Sequence, residues 1–182
     1  MRKLVFFIIA CLITISIQAQ EHLRFMGIEL KGTITNFQTK LQSKGLKVSP
    51  LSREQPNGVR VFEGNFSGTD AYIYVFYNEK TKEVYRAKAV IMREGKDLIE
   101  QLMQKFETKL DIKYGTINKY SELIEDEYMQ KFTQHGYIVP NGTITLFITS
   151  TSYIAQSTFF LHIDYTDKDN SNKNTQEEMD DL

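Results

Sequence analysis

Between Val59 and Met92, apolar positions recur with a period of two in three runs: Val59–Phe66, Ala71–Tyr77 and Val84–Met92. Turn-forming residues separate them, Ser67-Gly68-Thr69-Asp70 and Asn78-Glu79-Lys80-Thr81-Lys82. β-branched and aromatic residues cut by such turns predict a three-stranded antiparallel meander. The middle run is apolar on both faces. Ala71, Ile73, Val75 and Tyr77 point one way, and Tyr72, Tyr74 and Phe76 the other, because strand side chains alternate. In the third run Val84, Arg86 and Lys88 alternate with Tyr85, Ala87, Ala89 and Ile91. Small Ala87 and Ala89 allow close approach of a helix, so with Ile91 they are expected beside Ala71, Ile73 and Val75 on a covered face. Tyr72, Tyr74, Phe76, Arg86 and Lys88 are then left on an open face.

The periodicity elsewhere switches to that of helices. Thr33 is positioned to cap a helix carrying Ile34, Phe37 and Leu41, which Gly45 ends. Asp97 with Glu100 predicts a capping box for a second helix bearing Leu98, Ile99, Leu102, Met103, Phe106 and Leu110, closed at Tyr114-Gly115. Leu123, Ile124, Tyr128 and Phe132 after Ser121 suggest a third helix, stopped by Gly136. Short strands are expected within His22–Leu30 and at Leu46–Val48, with a loop from Pro50 to Gly58. Further strands are expected at Tyr137–Val139, Thr143–Ser150 and Thr158–Tyr165. The expected fold is α+β: an antiparallel sheet with helices on one face. One domain spans residues 20–166, with possible halves 20–95 and 96–166. Residues 167–182 form an acidic polar tail expected to be ordered only in part.

A faint repeat supports the halves. Phe37-Gln-Thr-Lys-Leu41 recurs as Phe106-Glu-Thr-Lys-Leu110, and Pro56-Asn57-Gly58 recurs as Pro140-Asn141-Gly142. Each half would run helix, loop, Pro-Asn-Gly, strand, turn, strand, with an extra helix in the second.

The N-terminus carries a different signal. Arg2 and Lys3 precede a nearly unbroken apolar run, Leu4–Ile17, and then Gln18-Ala19-Gln20. Basic, apolar and small-residue regions in that order predict a signal peptide, residues 1–19, and an exported protein, periplasmic or secreted. The run is short for a membrane span. Ile8-Ile9-Ala10-Cys11 has the form of a lipobox, so a lipid anchor at Cys11 is the alternative. If cleavage follows Ala19, no cysteine remains, which excludes disulfides and thiol chemistry.

Composition adds little to this. The 182 residues are 41% hydrophobic with a formal charge of −1, so no global pull toward nucleic acid or anionic membrane exists. From Asp164 on there are seven acids and two lysines, leaving the remainder net positive. No nucleophile elbow, phosphate loop or paired-histidine motif occurs. The sequence supports no catalytic residue, no metal ligand set and no cofactor. His22 is expected to be mobile, His135 to sit at a helix C-terminus, and His162 to share a strand face with Phe160 and Asp164. Glu125-Asp126-Glu127 reads as a solvated helix face. Asp167-Lys168-Asp169-Asn170-Ser171, with Glu178, partly mimics a calcium loop but has Asn172 where glycine is needed.

Gly27-Ile28-Glu29-Leu30-Lys31-Gly32-Thr33-Ile34, with Phe37, Leu41 and Lys44-Gly45, resembles the start of small exported proteins of Bacteroides-type bacteria. Ile163-Asp164-Tyr165-Thr166-Asp167, Asn170 and Asp180-Asp181-Leu182 are similar to their C-termini. These motifs are non-catalytic, and the resemblance implies no activity. The tandem helix-plus-strands pattern also resembles folds of the β-lactamase-inhibitor-protein and PepSY-like type, an analogy of fold and not of function.

These readings converge on a non-enzymatic binding protein that recognises a protein or glycan partner through Tyr72, Tyr74, Phe76, Arg86 and Lys88, with self-association through the same face as a variant. The competing reading is a hydrolase of envelope or extracellular substrates that uses acids such as Glu63 or Asp164. It requires a cleft with two nearby carboxylates.

Overall fold

The expected meander is present in a computed structural model, which describes residues 22–125, 131–153 and 156–179. The signal segment, Cys11, Asp126, Glu127 and Tyr128 lie outside the described residues. Strands β1 (Arg24–Phe25) and β2 (Ile28–Glu29) form a small hairpin. Helix α1 (Ile34–Ser43) follows, then β3 (Lys47–Val48), a 3-10 turn at Pro50–Glu54, and the meander β4 (Val59–Phe66), β5 (Thr69–Tyr77) and β6 (Val84–Arg93). Helix α2 (Lys96–Tyr114) leads to β7 (Lys119–Glu125), β8 (Lys131–Val139), β9 (Gly142–Tyr153) and β10 (Gln156–Asp167). Helix α3 (Lys168–Met179) ends the described chain.

Among the described residues, eight strands form one antiparallel sheet in the order β3-β4-β5-β6-β10-β9-β8-β7. Read inward from either edge, the order is the same: a helix followed by a four-strand meander, twice, with the two last strands meeting at the centre. The Pro-Asn-Gly motifs are not the markers of this repetition. Pro56-Asn57-Gly58 precedes β4, whereas Pro140-Asn141-Gly142 lies between β8 and β9, which correspond to β4 and β5.

The expected third helix is instead β7 and the start of β8. Its apolar spacing fits a helix, but Tyr120, Ile124, Phe132, Thr133 and Tyr137 also favour strands. Pairing is continuous from Lys119 opposite Tyr137 to Glu125 opposite Lys131. Glu125 is therefore no helix-face acid. It pairs with Lys131 across the hairpin at 3.3 Å. Gly136, expected to break a helix, sits inside β8 with the Tyr120 ring lying where a side chain would project.

The helices and one sheet face make a single core. Ile34, Phe37 and Leu41 of α1, and Ile99, Met103, Phe106 and Leu110 of α2, share a buried cluster with Ile73, Val75, Ala87, Ala89 and Ile91. Ile73 lies opposite Ala89, and Val75 opposite Ala87. Near one end, Phe66 stacks between Phe25 at 5.3 Å and Phe106 at 5.6 Å. A register shift at Phe76/Tyr77 places Val84 opposite Tyr77 and turns Val84 into the core, not onto the open face.

The helix ends follow the sequence only in part. Thr33 Oγ1 accepts from Asn36 N–H at the start of α1. At its end Gly45 N–H donates to Gln42 O and Leu46 N–H to Leu41 O, the paired bonds that a left-handed glycine permits. The capping box of α2 does not form. Gly95 is the N-cap without a side-chain bond, and Asp97 sits inside the first turn, where it complements the helix dipole.

The polar tail is largely helical, contrary to its composition. Asp167, 1% exposed, caps α3 by accepting Asn170 N–H at 3.0 Å. Its other oxygen accepts Leu23 N–H at 2.8 Å. His22 Nδ1 lies 3.2 Å from the same carboxylate, so His22 is anchored and not mobile. This capping role also replaces the calcium-loop reading of Asp167–Ser171. Asn170 donates to both Leu30 O and Val84 O. Asn78 Nδ2 donates to Asn174 and Glu177. Side-chain amides, not an apolar stripe, dock this helix, which is why hydropathy did not announce it.

Candidate functional site: the uncovered sheet face

The five residues singled out from sequence fall together. Tyr74 is opposite Lys88, and Phe76 is opposite Arg86. The Lys88 ammonium lies 5.4 Å from the Tyr74 ring centre and 5.8 Å from that of Phe76. The Arg86 guanidinium lies 4.6 Å from the Phe76 ring. Tyr72 is exposed at 37%, and the other four are half-buried.

Pairing of β6 with β10 and β9 extends the face beyond those five. Asp164 is opposite Lys88, and His162 opposite Val90. Thr145 and Phe147 of β9 continue the same two rows. His162 stacks on Phe147 at 4.5 Å, and Phe147 on Phe132 at 4.7 Å. The i, i+2 alternation of Phe160, His162 and Asp164 was legible. Their placement beside Lys88 was not, because it depends on pairing of strands some 75 residues apart.

Electrostatics organise the centre of this face. Asp164, 4% exposed, accepts Arg86 Nε–H at 2.9 Å on both oxygens and the Nη2 group as well. Burial works against the guanidinium charge, and the Asp164 bonds and charge outweigh it, so the Arg86 pKa is raised. Burial lowers that of Lys88; Asp164 opposes the shift, and Arg86 adds to it. Among the described residues Lys88 makes no hydrogen bond or ion pair, since Arg86 occupies the nearest carboxylate. Burial, then Lys88, push His162 from 6.5 to about 3, so its ring is neutral. Nε2 bonds Thr149 Oγ1 at 2.8 Å, while Nδ1 is buried without a partner among the described residues.

The acids named for a hydrolase do not meet. Glu63 lies on β4 and Asp164 on β10, three strand spacings apart, or roughly 14 Å of backbone. Asp164 is also saturated by Arg86.

A second polar cluster, missed from sequence, joins α2 to β7 and β8. His135 lies on a strand, not at a helix end, and its Nδ1 bonds the Glu107 carboxylate. Lys119 Nζ is 3.5 Å from Glu107 and 3.6 Å from Asp111. Tyr137 donates its hydroxyl to Asp111 at 2.7 Å. Burial, reinforced by the Asp111 bond, raises the Tyr137 phenol to about 12. The helical pattern of residues 121–132 concealed this cluster.

Fold and face together define an α+β protein with an antiparallel sheet covered on one side and, on the other, an aromatic face with a basic centre. No protein-family model matches the chain, and neither a curated protein nor a solved structure matches it.

Proposed function

We propose that this chain is an exported, non-enzymatic binding protein that recognises a protein partner through the uncovered sheet face. The observation that carries this reading is Lys88. Its ammonium lies over the Tyr74 and Phe76 rings and makes no ion pair among the described residues, and a partner's acidic group supplies one. Tyrosine and arginine contribute large contact area at little entropic cost, which suits the centre of an interface. The basic, apolar and small-residue order of residues 2–19 supports export.

The test places a photo-crosslinking residue at Tyr72 and, as a control, at Glu79 in the β5–β6 turn. Each full-length protein is exposed to the envelope fraction of its host. The reading expects one protein crosslinked from Tyr72 and not from Glu79. Once purified, that partner should bind the Tyr72→Ala/Lys88→Ala variant at least about tenfold more weakly at unchanged melting temperature. Equal crosslinking from both positions, or unchanged affinity, would sink the proposal. Crosslinks to polysaccharide alone would replace the protein partner with a glycan.

A further inference from the structure

A groove of about 410 Å3 runs between α2 and the β8–β9 part of the sheet, on the helix-covered face. That volume lies in the range of small-ligand sites, roughly 300–1,000 Å3. Met103, Ile148 and Phe159 supply apolar wall, and Gln104, Thr133 and Ser150 supply neutral hydrogen-bonding groups.

His135 is also in this wall. Its Nδ1 is tied to Glu107, whose side chain is only 16% exposed. A carboxylate behind one ring nitrogen fixes the orientation of the imidazole and holds the other nitrogen ready for a ligand. That other nitrogen, Nε2, has no partner among the described residues.

The charges around the groove are already matched. Lys96 pairs with Glu100 at 3.6 Å, and Lys131 with Glu125 at 3.3 Å. Glu107 faces both His135 and Lys119. Among the described residues an ionic ligand therefore finds no lone opposite charge. The groups that remain are an imidazole nitrogen, hydroxyls, an amide and apolar carbon. Such a wall fits a molecule with many hydroxyls and an apolar ring face.

We propose that this groove binds a neutral saccharide, with His135 Nε2 hydrogen-bonded to a sugar hydroxyl and Phe159 and Ile148 meeting the C–H face of the ring. The site is separate from the tyrosine face and stands or falls independently of it.

The test titrates the isotope-labelled full chain with the methyl glycosides of glucose, galactose, mannose and N-acetylglucosamine, and with maltose and cellobiose. Amide shifts are followed by nuclear magnetic resonance. Saturable shifts centred on Gln104, Thr133, Ile148 and Phe159 are expected for at least one sugar. Gln104→Leu and His135→Phe should each weaken that binding about tenfold, the effect of one lost hydrogen bond to a ligand. Tyr72→Ala should leave it unchanged. Gln104 is exposed on α2, so its variant decides the matter even if His135→Phe fails to fold. Absence of saturable shifts with every sugar, shifts centred elsewhere, or unchanged affinity of Gln104→Leu each overturns the proposal. Tighter binding of glucuronate than of glucose overturns the neutral assignment.

Discussion

Arg86→Met isolates the ion pair at the centre of the uncovered face. Methionine keeps much of the contact with Phe76 and removes the guanidinium, which leaves the Asp164 carboxylate 4% exposed and without its partner. Removing one member of a fully buried pair costs about 3–5 kcal/mol. Arg86 itself is 36% exposed, so water screens part of the interaction, and about 2–3 kcal/mol is the working figure. For a domain of this length that lowers the melting temperature by about 5–10 °C and the urea midpoint by about 1 M. Asp164→Leu should cost less, at most about 1 kcal/mol, because a half-exposed guanidinium reaches water where a buried carboxylate does not. The double variant should resemble Asp164→Leu alone, giving a coupling of about 2–3 kcal/mol in the mutant cycle, the whole cost of Arg86→Met. Equal destabilisation by the two single variants, or a double variant no better than Arg86→Met, would refute the reasoning. Packing around Arg86 would then outweigh its charge. Because its loss lowers stability, Arg86 is left intact in the binding test, which requires an unchanged melting temperature.

Three further outcomes follow from individual contacts. His162 is held neutral down to about pH 3 while the unfolded chain protonates near 6.5. The unfolded state therefore binds more protons between those values, and stability falls on acidification by up to about 1.4 kcal/mol per pH unit; His162→Leu should flatten that slope in urea melts from pH 6.5 to 4, and an unchanged slope would contradict it. A Cβ on Gly142 would collide with the Thr166 carbonyl, a backbone atom, whereas on Gly136 it meets the movable tip of Tyr120. Gly142→Ala should accordingly cost about 3 kcal/mol and Gly136→Ala about 1 by thermal denaturation, and the reverse order would show the strand ends to be the more pliable region. Asn170→Ala leaves the Leu30 and Val84 carbonyls unpaired and should cost about 2 kcal/mol, with faster hydrogen exchange throughout α3. Unchanged protection in α3 would mean that the helix is held by something other than its amides.

Most features set by neighbours in sequence fell where expected, the capping box of α2 excepted. Thr33 caps α1 because the backbone it serves is three residues away, and Gly45 ends it because its own φ permits the turn. The β4–β5–β6 meander pairs in the register that puts Ile73 beside Ala89, since short turns leave few alternatives. The misplaced elements share a different origin. Leu123, Ile124 and Phe132 fit a helical stripe as well as a strand, and only β8 lying alongside β7 decides between them. The tail looked too polar to fold because its anchors, Asp167, Asn170 and Asn174, bond to groups far away in sequence, namely Leu23, Leu30, Val84 and Asn78.

The sequence alone determined the fold class, the residues of the covered face and the five that emerge opposite them, because a two-residue period and local turn chemistry are encoded within a few positions of each residue. The tertiary structure decided what stands beside those five. Pairing of β6 with β10 brings in Asp164 to engage Arg86, leaves Lys88 without an ion pair among the described residues, and lays His162 and Phe147 next to them. It also folds residues 119–139 into a hairpin that carries His135 to Glu107. Such contacts depend on long-range register, and register is set by the whole sheet and its packed helices, not by any stretch that can be read alone.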